Sequence, residues 1–202
     1  PPEWFAEVAE QVADLARISF CIDTGHVGIK QARDHLERTE PGGDLGALRL
    51  GDPRLPELAG TVQSAVATAL PTVLELIGRL GAIGKPVHFH LHDGHPLIAG
   101  LPDHFSFLTR VPVPFTYEYR RSLAPLYGPA GLASIITAAV EACGAERASL
   151  TLEIHQAEGR LPLGDAAGLF RHWRDTTNAE RMNYWQAVLA ENHLLVHAAL
   201  EQ

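Results

Sequence analysis

Histidines are concentrated in one short stretch of the chain. Residues 87–95 read Val-His-Phe-His-Leu-His-Asp-Gly-His and hold four of the eleven histidines. Apolar residues alternate with the first three of them, as in a buried β-strand, and side chains two residues apart share one face of a strand. We therefore expect His88, His90 and His92 to point to the same side. Because buried imidazoles need a hydrogen-bond partner or a metal ion, this stretch predicts a metal site at a strand end.

Two further apolar segments end in titratable residues. Residues 18–23 predict a buried strand that ends at Asp23, with His26 three positions later, and residues 150–155 predict a strand that carries Glu153. In parallel α/β folds the functional site lies at the carboxyl ends of the strands. These residues are therefore expected to meet although they are distant in sequence. A mixture of carboxylates and imidazoles suits Mn, Mg, Co, Fe or Zn.

Each of these residues also has a purely structural interpretation. An aspartate before Thr-Gly, as at Asp23, is a common turn former, and His88 is interpreted as a core histidine hydrogen-bonded to the backbone. Glu153 is harder to explain in this way, because an ionised carboxylate on a buried strand needs a cation or a salt bridge to an arginine. Because polar residues stand at all three predicted strand ends, a metal site is favoured over three separate structural roles.

The elements that must position these residues alternate along the chain. Helices are predicted up to about residue 16 and over residues 56–80, 131–142, 165–173 and 179–199, with a kink or break at Pro71. Strands are predicted over 18–23, 86–92 and 150–155. The chain, 1–202, is predicted as one domain with a polar insertion over 30–56 that holds a short helix over 31–38, a long active-site loop over 93–127 and C-terminal helices over 165–202. This alternation favours an α/β fold with parallel strands joined by helical crossovers.

Composition limits the function classes. With 202 residues, 46% of them hydrophobic, the chain is long enough for a sizeable core. Its formal charge of −8 argues against a nucleic-acid surface, which needs a basic stripe. The two cysteines, Cys21 and Cys143, predict no disulfide scaffold and a cytoplasmic location. The sequence contains no uncharged apolar run of about 18 residues, so no membrane span is predicted.

Three short motifs resemble, in their order along the chain, those of a known protein superfamily. Asp23-Thr24-Gly25-His26, His90-Leu91-His92-Asp93 and Leu152-Glu153-Ile154 resemble the ends of the last three strands of the xylose-isomerase-like TIM barrels. That superfamily includes sugar phosphate isomerases and epimerases, ketose 3-epimerases, inosose dehydratases and apurinic-site endonucleases. The resemblance covers roughly residues 1–160. It implies a (β/α)8 barrel of which this chain supplies about the last three strands, as its C-terminal half.

The resemblance also implies roles for individual residues. By position, Asp23, His90 and Glu153 are implied as ligands of a divalent metal ion. Glu153 is also implied as the catalytic base. His26 is implied as a catalytic and substrate-binding residue, or as a ligand of a second metal ion in members that bind several ions. The strand that ends in the family's further metal-binding glutamate is expected before Pro1, so an N-terminal half-barrel or a second copy of the chain is expected to complete the site.

The residues after His90 receive different assignments. His92 is assigned to substrate binding. For Asp93, which matches the acidic residue at the end of the family's strand-seven motif, the resemblance implies either substrate binding or support of the metal ligands. Asp103 and His104 faintly resemble an Asp-x-His metal pair of the endonucleases, but adjacent residues do not present the same geometry. They are therefore not assigned as ligands.

The predicted function is a divalent-metal-dependent isomerase or epimerase of carbohydrate metabolism, acting on a sugar-like or polyhydroxylated small molecule through an enediolate. Dehydration, a lyase reaction, uses the same chemistry. Two alternatives stay open. The first is a metal-dependent phosphodiesterase of the apurinic-site endonuclease type, which needs a multinuclear metal cluster and a basic surface. The second is a non-catalytic barrel domain in a larger assembly. No nucleic-acid partner and no membrane are expected.

Overall fold

Helices and strands alternate along the chain as predicted. The computed structural model describes residues 2–41, 48–49, 51–95, 97–98, 103–110, 124–154 and 179–201. Its elements are α1 (Pro2–Gln11), β1 (Phe20–Asp23), α2 (Thr24–Thr39), α3 (Leu55–Ala67), α4 (Ala69–Ile83), β2 (Val87–Leu91), α5 (Gly128–Cys143), β3 (Ala148–Leu152) and α6 (Ala179–Leu200). The helix predicted over 165–173 and part of the loop predicted over 93–127 lie outside the described residues.

The strands form one parallel sheet. Its order is β1-β2-β3, and the register places Asp23 beside His90 and His90 beside Thr151. Parallel neighbours require crossover connections, which the helices between the strands supply. The α/β class with parallel strands is therefore confirmed. Closure into a barrel stays a prediction, because the described strands form a three-stranded sheet.

The two faces of this sheet differ in chemistry. Alternate side chains of β1 and β2 are buried in the hydrophobic core beneath the helices: Phe20, Ile22, Val87, Phe89 and Leu91. The alternation puts polar residues on the opposite face, where they are exposed or partly buried: Cys21, Asp23, His88, His90, Ser149 and Thr151. The shared face predicted for His88 and His90 is thus confirmed, and it forms one polar side of the sheet.

The segment after β1 is helical from its first residue. The sequence predicted a loop with only a short helix over 31–38, whereas α2 begins directly after Asp23. Asp23 is the N-cap, since its Oδ1 accepts the backbone N–H of His26 at 2.8 Å. The buried positions of α2 from Ile29 to Leu36 recur at helical spacing, but the polar residues between them conceal the pattern in the sequence.

The helix predicted over 56–80 is two helices that are separated at Thr68. Pro71 lies in the first turn of α4, where its missing N–H is not needed. A proline ring clashes with the carbonyl group four residues earlier and kinks or breaks a helix, and the break lies at Thr68, three residues before Pro71.

The segment Leu55–Ile83, which spans α3 and α4, is long and apolar enough by length and composition to cross a membrane. In this fold it supplies core helices. Val62, Val73 and Ile77 are fully buried, and α4 packs against α1, α2 and α5. The most apolar 18-residue window of this segment is 39% buried, so core packing accounts for part of its apolar composition.

Candidate metal centre

Asp23 is the first residue of the site and ends β1. Its Oδ1 lies 2.9 Å from Nε2 of His92, and its Oδ2 lies 2.5 Å from Nδ1 of His26. Partial burial raises the pKa of Asp23, but the hydrogen bonds with His92 and with the His26 backbone, and the charges of both imidazoles, outweigh burial and hold this pKa well below its ordinary value. Asp23 is therefore a carboxylate at neutral pH, the form that a metal ion binds.

His92 is buried against the first turn of α2. Its ring fills the space beside Gly25, where an added Cβ would lie 1.9 Å from Nε2 of His92. Nδ1 of His92 donates to the carbonyl oxygen of Asp103 at 3.2 Å, which leaves Nε2 facing Asp23. A histidine that ligates a metal commonly donates its other ring N–H to a backbone carbonyl in this way. The hydroxyl of Thr24 donates to the carbonyl oxygen of His90 at 2.8 Å and ties α2 to the end of β2.

Glu153 directly follows β3. Its backbone N–H donates to the carbonyl oxygen of Leu91 at 3.0 Å, which continues the parallel ladder beyond the last strand residue. Its Oε2 accepts from Nδ1 of His90 at 3.0 Å, and its Oε1 lies 3.8 Å from Nε2 of His104. In the described part of the chain its partners are thus imidazoles. The arginines of the structural interpretation, Arg120, Arg121 and Arg160, lie outside the described residues.

His104 enters the site from the segment that follows β2. The backbone N–H of Phe105 donates to the carbonyl oxygen of Asp93 at 2.9 Å, which brings this segment back against the end of β2. The ring of His104 stacks on that of His92 with centroids 3.9 Å apart and lies 5.6 Å from the ring of His26. His104 is not among the site residues predicted from the sequence. Its only sequence signal was a histidine beside an aspartate in the loop after the histidine strand.

Two overlapping groups each bring three ligand atoms within 4.8 Å of one another. The first consists of Asp23, His92 and Glu153, and the second of His26, His92 and His104. Two of the predicted metal ligands, Asp23 and Glu153, thus come together as expected. Carboxylate oxygens and imidazole nitrogens fit a divalent ion such as Zn, Mn, Fe, Co or Mg.

His90 and His88 belong to neither group among the described residues. His90 was the predicted histidine ligand, and its Nδ1 contacts Glu153 instead. His88 bonds to hydroxyl groups through both ring nitrogens, to Ser149 at 2.7 Å and to Thr151 at 3.0 Å. These bonds explain His88 structurally, although the partners are hydroxyls and not the backbone groups that the sequence analysis expected.

Asp93 holds the start of α5. Its Oδ1 accepts the backbone N–H groups of Gly94 at 2.8 Å and Tyr127 at 3.0 Å, and its Oδ2 accepts that of Gly128 at 2.7 Å. Burial raises the pKa of Asp93 to about 6, although these bonds act in the opposite direction. The contacts are structural, and substrate binding by Asp93 stays a prediction.

Tyr127 links the start of α5 to the start of α2. Its hydroxyl donates to the carbonyl oxygen of Thr24 at 2.5 Å. Burial, together with the negative charges of Asp93 and Asp23, raises the pKa of Tyr127 well above its ordinary value. The neutral phenol therefore serves as a fixed donor that holds α2 against α5.

A cleft of about 340 Å³ opens beside Asp23 and His26. Its remaining walls come from α1, β1 and α2: Trp4, Phe5, Cys21, Ile22, Val27 and Lys30. The volume lies near the lower end of the roughly 300–1,000 Å³ that ligand pockets occupy.

Comparisons with known proteins find no relative. No protein-family model, no curated protein and no solved structure matches the chain. The resemblance to the xylose-isomerase-like barrels therefore rests on the three motifs alone.

Proposed function

We propose that this chain carries the metal site of a divalent-metal-dependent isomerase or epimerase that acts on a sugar-like or polyhydroxylated substrate. One observation carries the proposal. Asp23, His92 and Glu153 follow or end three adjacent parallel strands, with ligand atoms within 4.8 Å of one another. The carboxyl ends of parallel strands are where α/β enzymes bind their substrates.

The side chains of this chain supply the acid-base chemistry. Glu153 is partly exposed, so it can take a proton from a substrate carbon and return it. His26 is exposed and held by Asp23, which places it to donate to a substrate oxygen. When bound, a divalent ion supplies the positive charge that stabilises an enediolate. In this proposal His92 takes the ligand position that the resemblance gave to His90, because its Nε2 faces Asp23.

Metal binding and proton exchange test this function. We expect purified protein to bind Mn²⁺ or Zn²⁺, and Asp23→Asn, His92→Ala and Glu153→Gln each to weaken binding by more than the roughly 10–100-fold that loss of an outer partner costs. Incubation with a panel of ketoses and polyols in D₂O should show metal-dependent uptake of deuterium at carbon, and Glu153→Gln should abolish it. His193→Ala, an exposed histidine on α6, is the matched control. Full exchange activity in metal-stripped protein would contradict the proposal.

A second candidate function is a metal-dependent phosphodiesterase of the apurinic-site endonuclease type. His26 and His104 favour it, because they offer two imidazoles to a further ion beside the one held by Asp23, His92 and Glu153. The charge of −8 opposes binding to DNA. Metal stoichiometry separates the two functions. One ion per chain supports the isomerase, whereas two or three ions with cleavage of bis(4-nitrophenyl) phosphate support the phosphodiesterase.

We also propose that an extended segment pairs with the free side of β1. Among the described strands β1 pairs only with β2, and the cleft between Trp4 and Val27 lies along its other side. An unpaired strand edge is a template for another strand. The resemblance implies a strand that ends in a metal-binding glutamate here. The mass in solution by light scattering tests the second copy as the source of this segment: a dimer supports it, and a monomer contradicts it.

A further inference from the structure

We propose that His90 is a positioning residue that orients the Glu153 carboxylate and is not itself a metal ligand. This inference rests on the metal site proposed above. It assigns a role to a histidine that the motif resemblance places among the ligands.

The contact between the two side chains carries the inference. Nδ1 of His90 lies 3.0 Å from Oε2 of Glu153, and both side chains are about one-third exposed. The other oxygen, Oε1, is directed toward the imidazole of His104 at 3.8 Å. The bond from His90 thus occupies one carboxylate oxygen and leaves the other for the site. Carboxylates that bind metals are commonly held by such a second hydrogen bond.

The backbone of His90 is well placed to act on Glu153. β2 is the central strand, and the register sets His90 beside Asp23 on one side and Thr151 on the other. Its carbonyl oxygen accepts from the hydroxyl of Thr24 at 2.8 Å. Because this residue is anchored between both neighbouring strands, its imidazole presents a donor to Glu153 from a fixed position.

The contacts of His92 differ from those of His90. Its Nδ1 is engaged by a backbone carbonyl and its Nε2 faces Asp23, and it belongs to both groups of potential ligands. The group of Asp23, His92 and Glu153 thus takes its one imidazole from His92. His90 acts on this group through its hydrogen bond to Glu153.

Substitutions of His90 test the inference with Co²⁺ as the probe. We expect His90→Ala to weaken Co²⁺ binding about 10-fold, as loss of an outer partner does, without changing the position or intensity of the Co²⁺ d–d absorption bands. His90→Asn keeps an N–H donor near the position of Nδ1 and should restore binding to near the wild-type affinity. His193→Ala, which removes an exposed imidazole on α6, is the matched control, and it should leave Co²⁺ affinity unchanged. Circular dichroism verifies that each variant is folded.

The outcomes separate this inference from the proposed function. If His90→Ala shifts the Co²⁺ spectrum as His92→Ala does, His90 is a ligand and the inference is wrong. If His90→Ala binds Co²⁺ as wild type does, or His90→Asn fails to restore binding, the positioning role is also wrong. In each of these cases the metal site itself stands. Failure of the wild-type protein to bind Co²⁺, Mn²⁺ or Zn²⁺ would instead overturn the proposed function and this inference with it.

Discussion

At the scale of single residues, a glycine decides whether the strand ends can meet. Gly25 lies in the first turn of α2, directly against the ring of His92. A side chain there would occupy the space of the imidazole, which is fully buried. The proximity of Asp23 to His92 therefore depends on the missing Cβ of Gly25 as much as on the ligands themselves.

We predict that Gly25→Ala impairs the metal site. The new methyl group would lie 1.9 Å from Nε2 of His92, so the ring must move away from Asp23. Overpacking of this kind costs about 1–3 kcal/mol of stability, and metal affinity should fall at least about 10-fold, as when a supporting group is lost. Titration with Mn²⁺ or Zn²⁺ and chemical denaturation measure the two effects.

Gly60→Ala is the matched control for this prediction. Gly60 lies within α3 and has open space around its Cα. Alanine there should stabilise the protein by roughly 0.5–1 kcal/mol and leave metal binding unchanged. Equal metal affinity in Gly25→Ala and wild type would show that His92 is not held where the packing places it.

At the scale of elements, two buried titratable groups, Asp93 and His95, follow the end of β2, and Asp93 holds the start of α5. The pKa of Asp93 is raised by burial from 3.8 to about 6, so its contribution to stability is complete below pH 3.8 and is lost as the pH rises through about 6. Burial lowers the pKa of His95 from 6.5 to about 4, so its contribution is complete above pH 6.5 and is lost as the pH falls through about 4. The two contributions are each about 3 kcal/mol and have opposite signs.

We predict that the pH dependences contributed by Asp93 and His95 nearly cancel in the wild-type protein. In His95→Phe only the pH dependence contributed by Asp93 remains of the two. Between pH 7 and pH 4.5 the contribution of Asp93 to the free energy of unfolding of the variant should rise by about 2 kcal/mol, because the titration of His95 no longer opposes it. The wild-type value should change much less from this pair of residues. Urea denaturation of the metal-free proteins at both pH values measures the difference. Parallel pH profiles for wild type and variant would contradict the opposed titrations.

At the scale of the whole molecule, the candidate metal centre joins segments that are far apart in sequence. Its first group takes one residue from each of three strand regions, and the helices bury the opposite face of the same sheet. A bound ion would therefore tie β1, β2 and β3 together at one end. Ligands that bind only the native state stabilise it by mass action.

We predict that metal ions raise the melting temperature of the wild-type protein. At a metal concentration of 100 times the Kd the stabilisation is about 2.7 kcal/mol, which corresponds to several degrees for a chain of this size. Addition of EDTA should reverse the shift, and Asp23→Asn should show none. Differential scanning fluorimetry measures all three. A wild-type melting temperature that is unaffected by Mn²⁺, Zn²⁺ and Co²⁺ would contradict the prediction.

Local patterns in the sequence were sufficient to predict the α/β class, the three strands and the strand ends that carry Asp23 and Glu153. These features follow from alternation and helical periodicity, which depend on neighbours within a few positions. Where polar residues obscured the period, as in α2, the prediction placed a loop where the chain is helical.

The tertiary structure decided which side chains meet. His92 lies with Asp23 and Glu153, and the ring of His104, from the following loop, stacks on that of His92. Asp93 instead accepts backbone hydrogen bonds at the start of α5. Sequence spacing does not specify these outcomes, because they depend on contacts between segments that are separated along the chain, by 11 residues for His92 with Asp103, 35 for Asp93 with Gly128 and 69 for His92 with Asp23. The sequence thus determines that each strand delivers polar side chains to one end of a parallel sheet. Packing of α2, β2 and the returning loop determines which of them form the site.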